Sequence, residues 1–295
     1  MKLISKKIIQ KPKTVYNLHV ENDHNYIVDG AVVANCHLAK SASITKIVAN
    51  MPKCQYKIGV TGTLEDSLVS TLVIQGMFGP VHHAITTKKL MDKGLVADLK
   101  INNIIFKYSD EICAASTKLK YVDEVKFIVE NQKRNNLISN LLATQKDNTL
   151  FLANNVSHVK EMAAKVEKLL EGSGRKVYIA TGETKATIRE EMRHSVEDEI
   201  GSVICATYGV LSTGFSLKNL HVVVFGSPTK SKIRTLQSIG RGLRTSKIKS
   251  KVVLYDIIDD LSWKKNKNYA IKHYIERMKM YTKEKFNYTI NKIKL

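Results

Sequence analysis

Six short apolar runs place the strongest constraint on how this chain can fold. They are QYKIGV at 55–60, TLFLA at 149–153, KVYIA at 176–180, SVICA at 202–206, HVVVFG at 221–226 and KVVLYD at 251–256. Helical stretches fall between the later ones, at about 156–171 and 184–196, and strands alternating with helices are the pattern of α/β units around a parallel sheet. Five of the six runs follow residue 145, so residues 122–260 read as one complete domain. Residues 1–35 have another texture. Their short alternating runs, with turn residues at Asn22-Asp23 and Asp29-Gly30, predict a small all-β element too short to bury a core alone. No internal repeat or low-complexity linker interrupts the chain.

Charge narrows the class of partner. Against 27 Asp+Glu the chain carries 47 Lys+Arg, a formal charge of +20, which favours a polyanion, most often nucleic acid. No apolar run approaches the roughly 18 residues of a spanning helix, and Met1-Lys2-Leu3 leads into a mixed basic segment without a signal-peptide core. The four cysteines, Cys36, Cys54, Cys113 and Cys205, have neither paired spacing nor histidines at zinc-site distance. A reducing cytoplasm, no membrane and no structural metal are expected.

Three stretches carry chemistry. In KIGVTGTL, Thr61-Gly62-Thr63 stand at a strand end, where small hydroxyl side chains can relay contacts between nucleotide and substrate. ICATYGVLSTGFSLKNL at 204–220 places Ser212-Thr213-Gly214 after a strand. QSIGRGLR at 237–244 sets Gln237, Arg241 and Arg244 at i, i+4 and i+7, one face of one helix. Guanidinium groups so placed suit the β- and γ-phosphates of a nucleotide. In this order the three stretches resemble motifs III, V and VI of superfamily 2 helicases, over essentially all of residues 36–295. The runs TYGVLSTGFSLKNLHVVVFG, KSKIRTLQSIGRGLR, DIIDD and EKFNY are similar to phage recombination helicases in sequence and order.

That resemblance implies RecA-like parallel-sheet domains: residues 36–121 as the remainder of a first, 122–260 as a second, and 261–295 as a basic helical tail. It implies ATP with Mg2+ as cofactor, contacted here by Thr61, Gly62, Thr63, Gly214, Arg241 and Arg244, with His37, Gln237, Arg241 and Arg244 serving hydrolysis. It also implies translocation on branched or single-stranded DNA, or on RNA, in recombination and repair. Asn154, Asn155, Thr207, Ser212 and Thr213 would grip the backbone, and Lys264 and Lys265 of the tail would add contacts. From Trp263 onward the tail holds ten Lys/Arg against two Glu, and Ile271, Tyr274, Ile275, Met278 and Tyr281 share one helical face. No G-x-x-x-x-G-K-[ST] loop occurs in the 295 residues, so the lone chain is expected not to hydrolyse ATP.

The segment TVYNLHVENDHNYIVDGAVVANC resembles the C-terminal part of an intein, most closely the short C-terminal halves of split inteins of the DnaE type. The side-chain amide of an Asn can attack its own carbonyl to form a succinimide, and a Cys thiol can accept an acyl group from a thioester. By the resemblance, Asn35 cyclises, Cys36 accepts the acyl group, and His24 with Asp23 beside it assists proton transfer. Cys36-His37 would close a helicase Asp-Glu-x-His motif whose first residues come from a separate chain bearing the N-terminal intein half. Ala34 and Asn17 depart from the family pattern, and Asn17 removes a carboxylate expected to modulate acyl transfer. Splicing in trans, an inactive intein half on a nucleic-acid-binding module, and non-covalent assembly of two halves all remain open at this level.

Overall fold

The computed structural model describes residues 25–28, 31–35, 42–50, 57–60, 68–82, 87–95, 97–212, 217, 219–228 and 251–295. The chain divides into two compact units, Met1–His82 and His83–Leu295.

In the first unit, β1 (Asn25–Val28) and β2 (Ala31–Asn35) form an antiparallel hairpin with Asn25 opposite Ala34 and Val28 opposite Ala31. β2 then pairs in parallel with β3 (Lys57–Val60), Asn35 beside Val60. Helices α1 (Ala42–Ala49) and α2 (Leu68–Phe78) accompany the sheet, with Val48 and Ile74 buried together. Of the all-β element expected over residues 1–35, the described residues contain this hairpin, and its second strand is shared with an α/β arrangement.

The second unit is built on seven strands, β4 (Asp98–Lys107), β5 (Thr149–Ala153), β6 (Val177–Ala180), β7 (Val203–Thr207), β8 (Val222–Phe225), β9 (Lys251–Asp260) and β10 (Asn287–Lys294). Their order is β10-β4-β9-β8-β5-β7-β6, and every pair is parallel. β5, β7 and β8 are buried along their whole length, which is why they read as unbroken apolar runs. Side chains alternate between two cores. Leu150 and Leu152 join one with α3 (Thr87–Asp92), α8 (Ala186–Asp198), α9 (Tyr208–Ser212) and α10 (Tyr269–Lys283). Phe151 and Ala153 join the other with α5 (Tyr121–Glu130), α6 (Gln132–Thr144) and α7 (Val156–Leu169). The short α4 (Asp110–Ser116) follows β4 and buries Cys113 in this second core.

This unit is wider than the 122–260 expected from texture, because β4 and β10 extend the sheet on the far side of β9. The tail is also not wholly helical. α10 buries Tyr274 and Tyr281 as its periodicity predicts, with Ile271, Ile275 and Met278 half-buried, and also buries Met280, which that face did not include; the chain then turns at Lys285 (φ 56) into the exposed edge strand β10. Arg277 also points inward. Its Nε and Nη2 each donate to Asp256 at 2.8 Å, and the Tyr281 hydroxyl donates to the same carboxylate at 2.9 Å. A buried charge is tolerated only when paired in this way. Among the described residues no helix is long and apolar enough to cross a membrane.

Candidate nucleic-acid interface at the carboxyl edge of the sheet

Because all seven strands of the second unit run one way, their carboxyl ends lie on one edge, the side on which open parallel sheets bind ligands. Ala153 is level with Thr207, Leu152 with Phe225, Ala180 with Ala206, and Lys107 with Asp260. Asn154-Asn155, Thr181-Gly182, Tyr208-Gly209 and Gly226-Ser227-Pro228 follow directly on these strand ends. α7 and α8 are among the helices that start there, and a helix N-terminus presents unpaired N–H groups and positive potential to an anion.

Asn154 is half-buried, and its side-chain amide donates to the Pro228 carbonyl at 2.9 Å, tying the loop after β5 to the loop after β8. Asn155 is exposed, precedes α7, and makes no capping hydrogen bond. Thr207 ends β7 at 7 % exposure, and Ser212 closes α9. Lys264 and Lys265 are exposed just beyond the carboxyl end of β9. The fold therefore brings Asn154, Asn155, Thr207, Lys264 and Lys265 to the same edge. Asn35 belongs to the first unit, at the end of β2. Asp23, His24, Cys36, His37, Thr61, Gly62, Thr63, Thr213, Gly214, Gln237, Arg241 and Arg244 lie outside the described residues.

Beneath the loops runs a buried polar network that sequence reading missed. Arg134, on the first turn of α6, is fully buried. Its Nε and Nη2 donate to the two oxygens of Asp259 at 2.7 and 3.0 Å, and Nη2 also donates to the Gly226 carbonyl at 2.7 Å. The Tyr108 hydroxyl donates to Asp259 at 2.8 Å. Asn135 donates to the Val129 carbonyl at 2.7 Å, and its oxygen lies 3.2 Å from Nε2 of His158. The Ser227 hydroxyl lies 3.5 Å from the other ring nitrogen. Burial, and then the charge of Arg134, push His158 down to about 3, so the ring is neutral at ordinary pH. Burial and the Asp259 charge raise Tyr108 well above the usual phenol range. Carboxylates inside the DIIDD run were the available signal, since an Asp within an apolar strand requires a buried partner.

Asp256 and Asp259 are each held by a guanidinium, and among the described residues no group of three or more His, Cys, Asp or Glu side chains converges to hold a metal. The amide, hydroxyl and lysine side chains gathered at the described edge are of the kinds that contact a sugar-phosphate backbone. A surface cavity of about 340 Å3 between Asp98, Lys251, Phe286 and Asn287 lies at the opposite, amino ends of β4, β9 and β10.

Comparison with known proteins agrees with this arrangement. Residues 132–246 match the helicase conserved C-terminal domain family. The chain is 39 % identical over 276 residues to the ATP-dependent DNA helicase UvsW of Enterobacteria phage T4, covering 88 % of this chain and 54 % of the relative. It therefore spans about half the length of the curated relative it matches. The crystal structure of T4 UvsW superposes with a TM-score of 0.58 at 35 % identity, covering 89 % of this chain and 53 % of that one. An HsdR fragment of a type I restriction enzyme from Vibrio vulnificus, 18 % identical over 77 % of this chain and 43 % of its own, shares the fold with a TM-score of 0.60. The chain carries a superfamily 2 helicase C-terminal domain on a RecA-like parallel sheet, similar to that of UvsW.

Proposed function

We infer that this chain is the C-terminal half of an ATP-dependent DNA motor, and that residues 1–35 are an intein C-terminal half removed when the motor is completed. The observation that carries the first part is the strand register that sets Asn154-Asn155, Thr207 and the start of α7 on one edge, in a chain 39 % identical to an ATP-dependent DNA helicase. Amide, hydroxyl and helix N–H groups contact phosphate without reading bases, as a motor moving along any sequence requires. Gln237, Arg241 and Arg244 would contact ATP, with Thr61, Gly62, Thr63 and Gly214. A phosphate loop and the carboxylates for Mg2+ would come from the N-terminal half. The resemblance to phage recombination helicases supports branched DNA as substrate and the host-cell cytoplasm as the place of action.

Support for splicing is the intein-like pattern from Val15 to Asn35 and the Asn35-Cys36 junction. One observation favours a second reading. β2 lies parallel against β3, so residues 31–35 can serve as a permanent strand of the first unit with the Asn35-Cys36 bond intact. Under the splicing reading, the partner's strand takes that place beside β3 after ligation.

Intact mass separates the two. The chain is mixed with a reporter protein fused to a DnaE-type intein N-terminal half. Splicing gives a reporter joined at Cys36 and a released fragment of residues 1–35, and Asn35→Ala blocks that release. Two unchanged masses support the permanent strand.

A further inference from the structure

Beyond Asp260 the chain makes a second surface at the same sheet edge, which the motif residues do not use. Trp263 and Asn266 exchange backbone hydrogen bonds of 3.0 and 2.9 Å, forming a two-residue turn with Lys264 and Lys265 at its tip. Lys264 has φ 50, a left-handed conformation that a long side chain keeps only where its surroundings enforce it. The base of the turn is held. Asn268 accepts from the Leu261 amide at 3.2 Å and donates to the Asp259 carbonyl and to Glu124, both at 3.0 Å. Glu124, 3 % exposed, also accepts from the amides of Tyr269 and Ala270 at 2.9 and 2.8 Å. A carboxylate thus already satisfies the N-terminus of α10, and an incoming anion is left to the lysines.

On this mount stand two open aromatic rings. Tyr121 and Tyr269 are 38 % and 37 % exposed and meet edge to face, with centroids 5.6 Å apart at 71°. His273 supports Tyr121 at 5.4 Å, and the Lys272 ammonium lies 5.1 Å from the Tyr269 ring. Lys264, Lys265 and Lys267 are exposed within five residues before Tyr269 in the chain, Lys272 lies against its ring, and residues 261–275 include no acidic side chain. Exposed rings on a fixed backbone, rimmed by cations, form the surface that binds single strands by stacking without base readout.

We propose that Tyr269, braced by Tyr121, is a stacking platform for a base of single-stranded nucleic acid, whose neighbouring phosphates are taken by Lys264 and Lys265. Lys272 leaves the ring face as the base arrives and pairs with a phosphate. Lys265 and Tyr269 are four residues apart, at most about 14 Å in extended chain, so tip and ring address one short stretch of strand. The proposal rests on the nucleic-acid reading above and adds to it a contact with bases where the motif residues contact backbone.

The test compares binding of the full chain to a short oligo(dT) and to an abasic sugar-phosphate oligomer of equal length. Tyr269→Ala should weaken oligo(dT) binding about fivefold or more while leaving the abasic oligomer within about twofold. Tyr269→Phe should bind as the parent, and its thermal melt serves as the folding control. Joint Lys264→Glu and Lys265→Glu changes should weaken both ligands and flatten the salt dependence. If Tyr269→Ala weakens both ligands alike, or neither, the platform is wrong while nucleic-acid binding stands. A parent chain that binds neither oligomer overturns the underlying reading and the platform with it.

Discussion

Replacing Arg134 by Met keeps most of the side-chain volume and removes the charge at the centre of the buried network. Both members of the Arg134–Asp259 pair are fully buried. The variant loses two charge-assisted hydrogen bonds to Asp259 and the one to the Gly226 carbonyl, and leaves Asp259 with the Tyr108 hydroxyl. Breaking a buried pair from one side costs about 3–5 kcal/mol, because the remaining charge stays desolvated. In a unit the size of His83–Leu295 each kcal/mol moves Tm by roughly 2–4 °C. A loss of about 4 kcal/mol therefore predicts a fall of roughly 8–16 °C. Urea and thermal melts followed by circular dichroism read this directly. The double variant Arg134→Met, Asp259→Leu removes the stranded charge and should recover at least about half of the loss, with the Tyr108 hydroxyl left to account for about 1–2 kcal/mol. A single variant within about 1 kcal/mol of the parent, or a double variant no better than the single, would refute the reasoning.

Two further perturbations bear on the same edge. A Cβ on Gly226 would stand 2.0 Å from the Phe151 ring, so Gly226→Ala should cost about 1–3 kcal/mol or more by overpacking, and adding Phe151→Leu should return part of it in a urea melt. His158, held near 3 when folded against about 6.5 when unfolded, stays neutral in the native state while the unfolded chain takes a proton. The stability it supports is complete above pH 6.5 and is lost as pH falls from there toward 3. Between pH 7.5 and 5.0 the parent should lose about 2 kcal/mol more than His158→Gln, and parallel slopes in the two proteins would exclude the effect.

The middle of the sheet was readable because β5, β6, β7, β8 and β9 are local apolar runs, and α7 and α8 lie between them at helical spacing. β4 was not. Asn102 and Asn103 interrupt its apolar pattern, and Asn103 is accommodated only because its amide donates to the Thr289 carbonyl of β10 at 2.9 Å. β10 is exposed along its whole length, so its strand state is dictated by pairing with β4 and leaves no burial signature in its own residues. Of the residues the fold gathers at the carboxyl edge, Asn154, Asn155 and Thr207 belong to local motifs and Lys264 and Lys265 to the basic tail, so each could be named from the sequence. The Arg134–Asp259 pair joins residues 125 positions apart, and Arg134 sits in the polar stretch NQKRNN, which reads as a solvated helix face. Only the tertiary fold turns it inward.

The most direct test of the account is ATP hydrolysis, measured with and without single-stranded DNA, by the chain alone and by a chimera joining the N-terminal portion of T4 UvsW to Cys36–Leu295. If this chain is half of a motor completed at Cys36, the chain alone is silent. The chimera then turns over with DNA stimulation that Arg241→Ala abolishes. Hydrolysis by the chain alone, or a folded chimera as silent as the chain, would contradict that account.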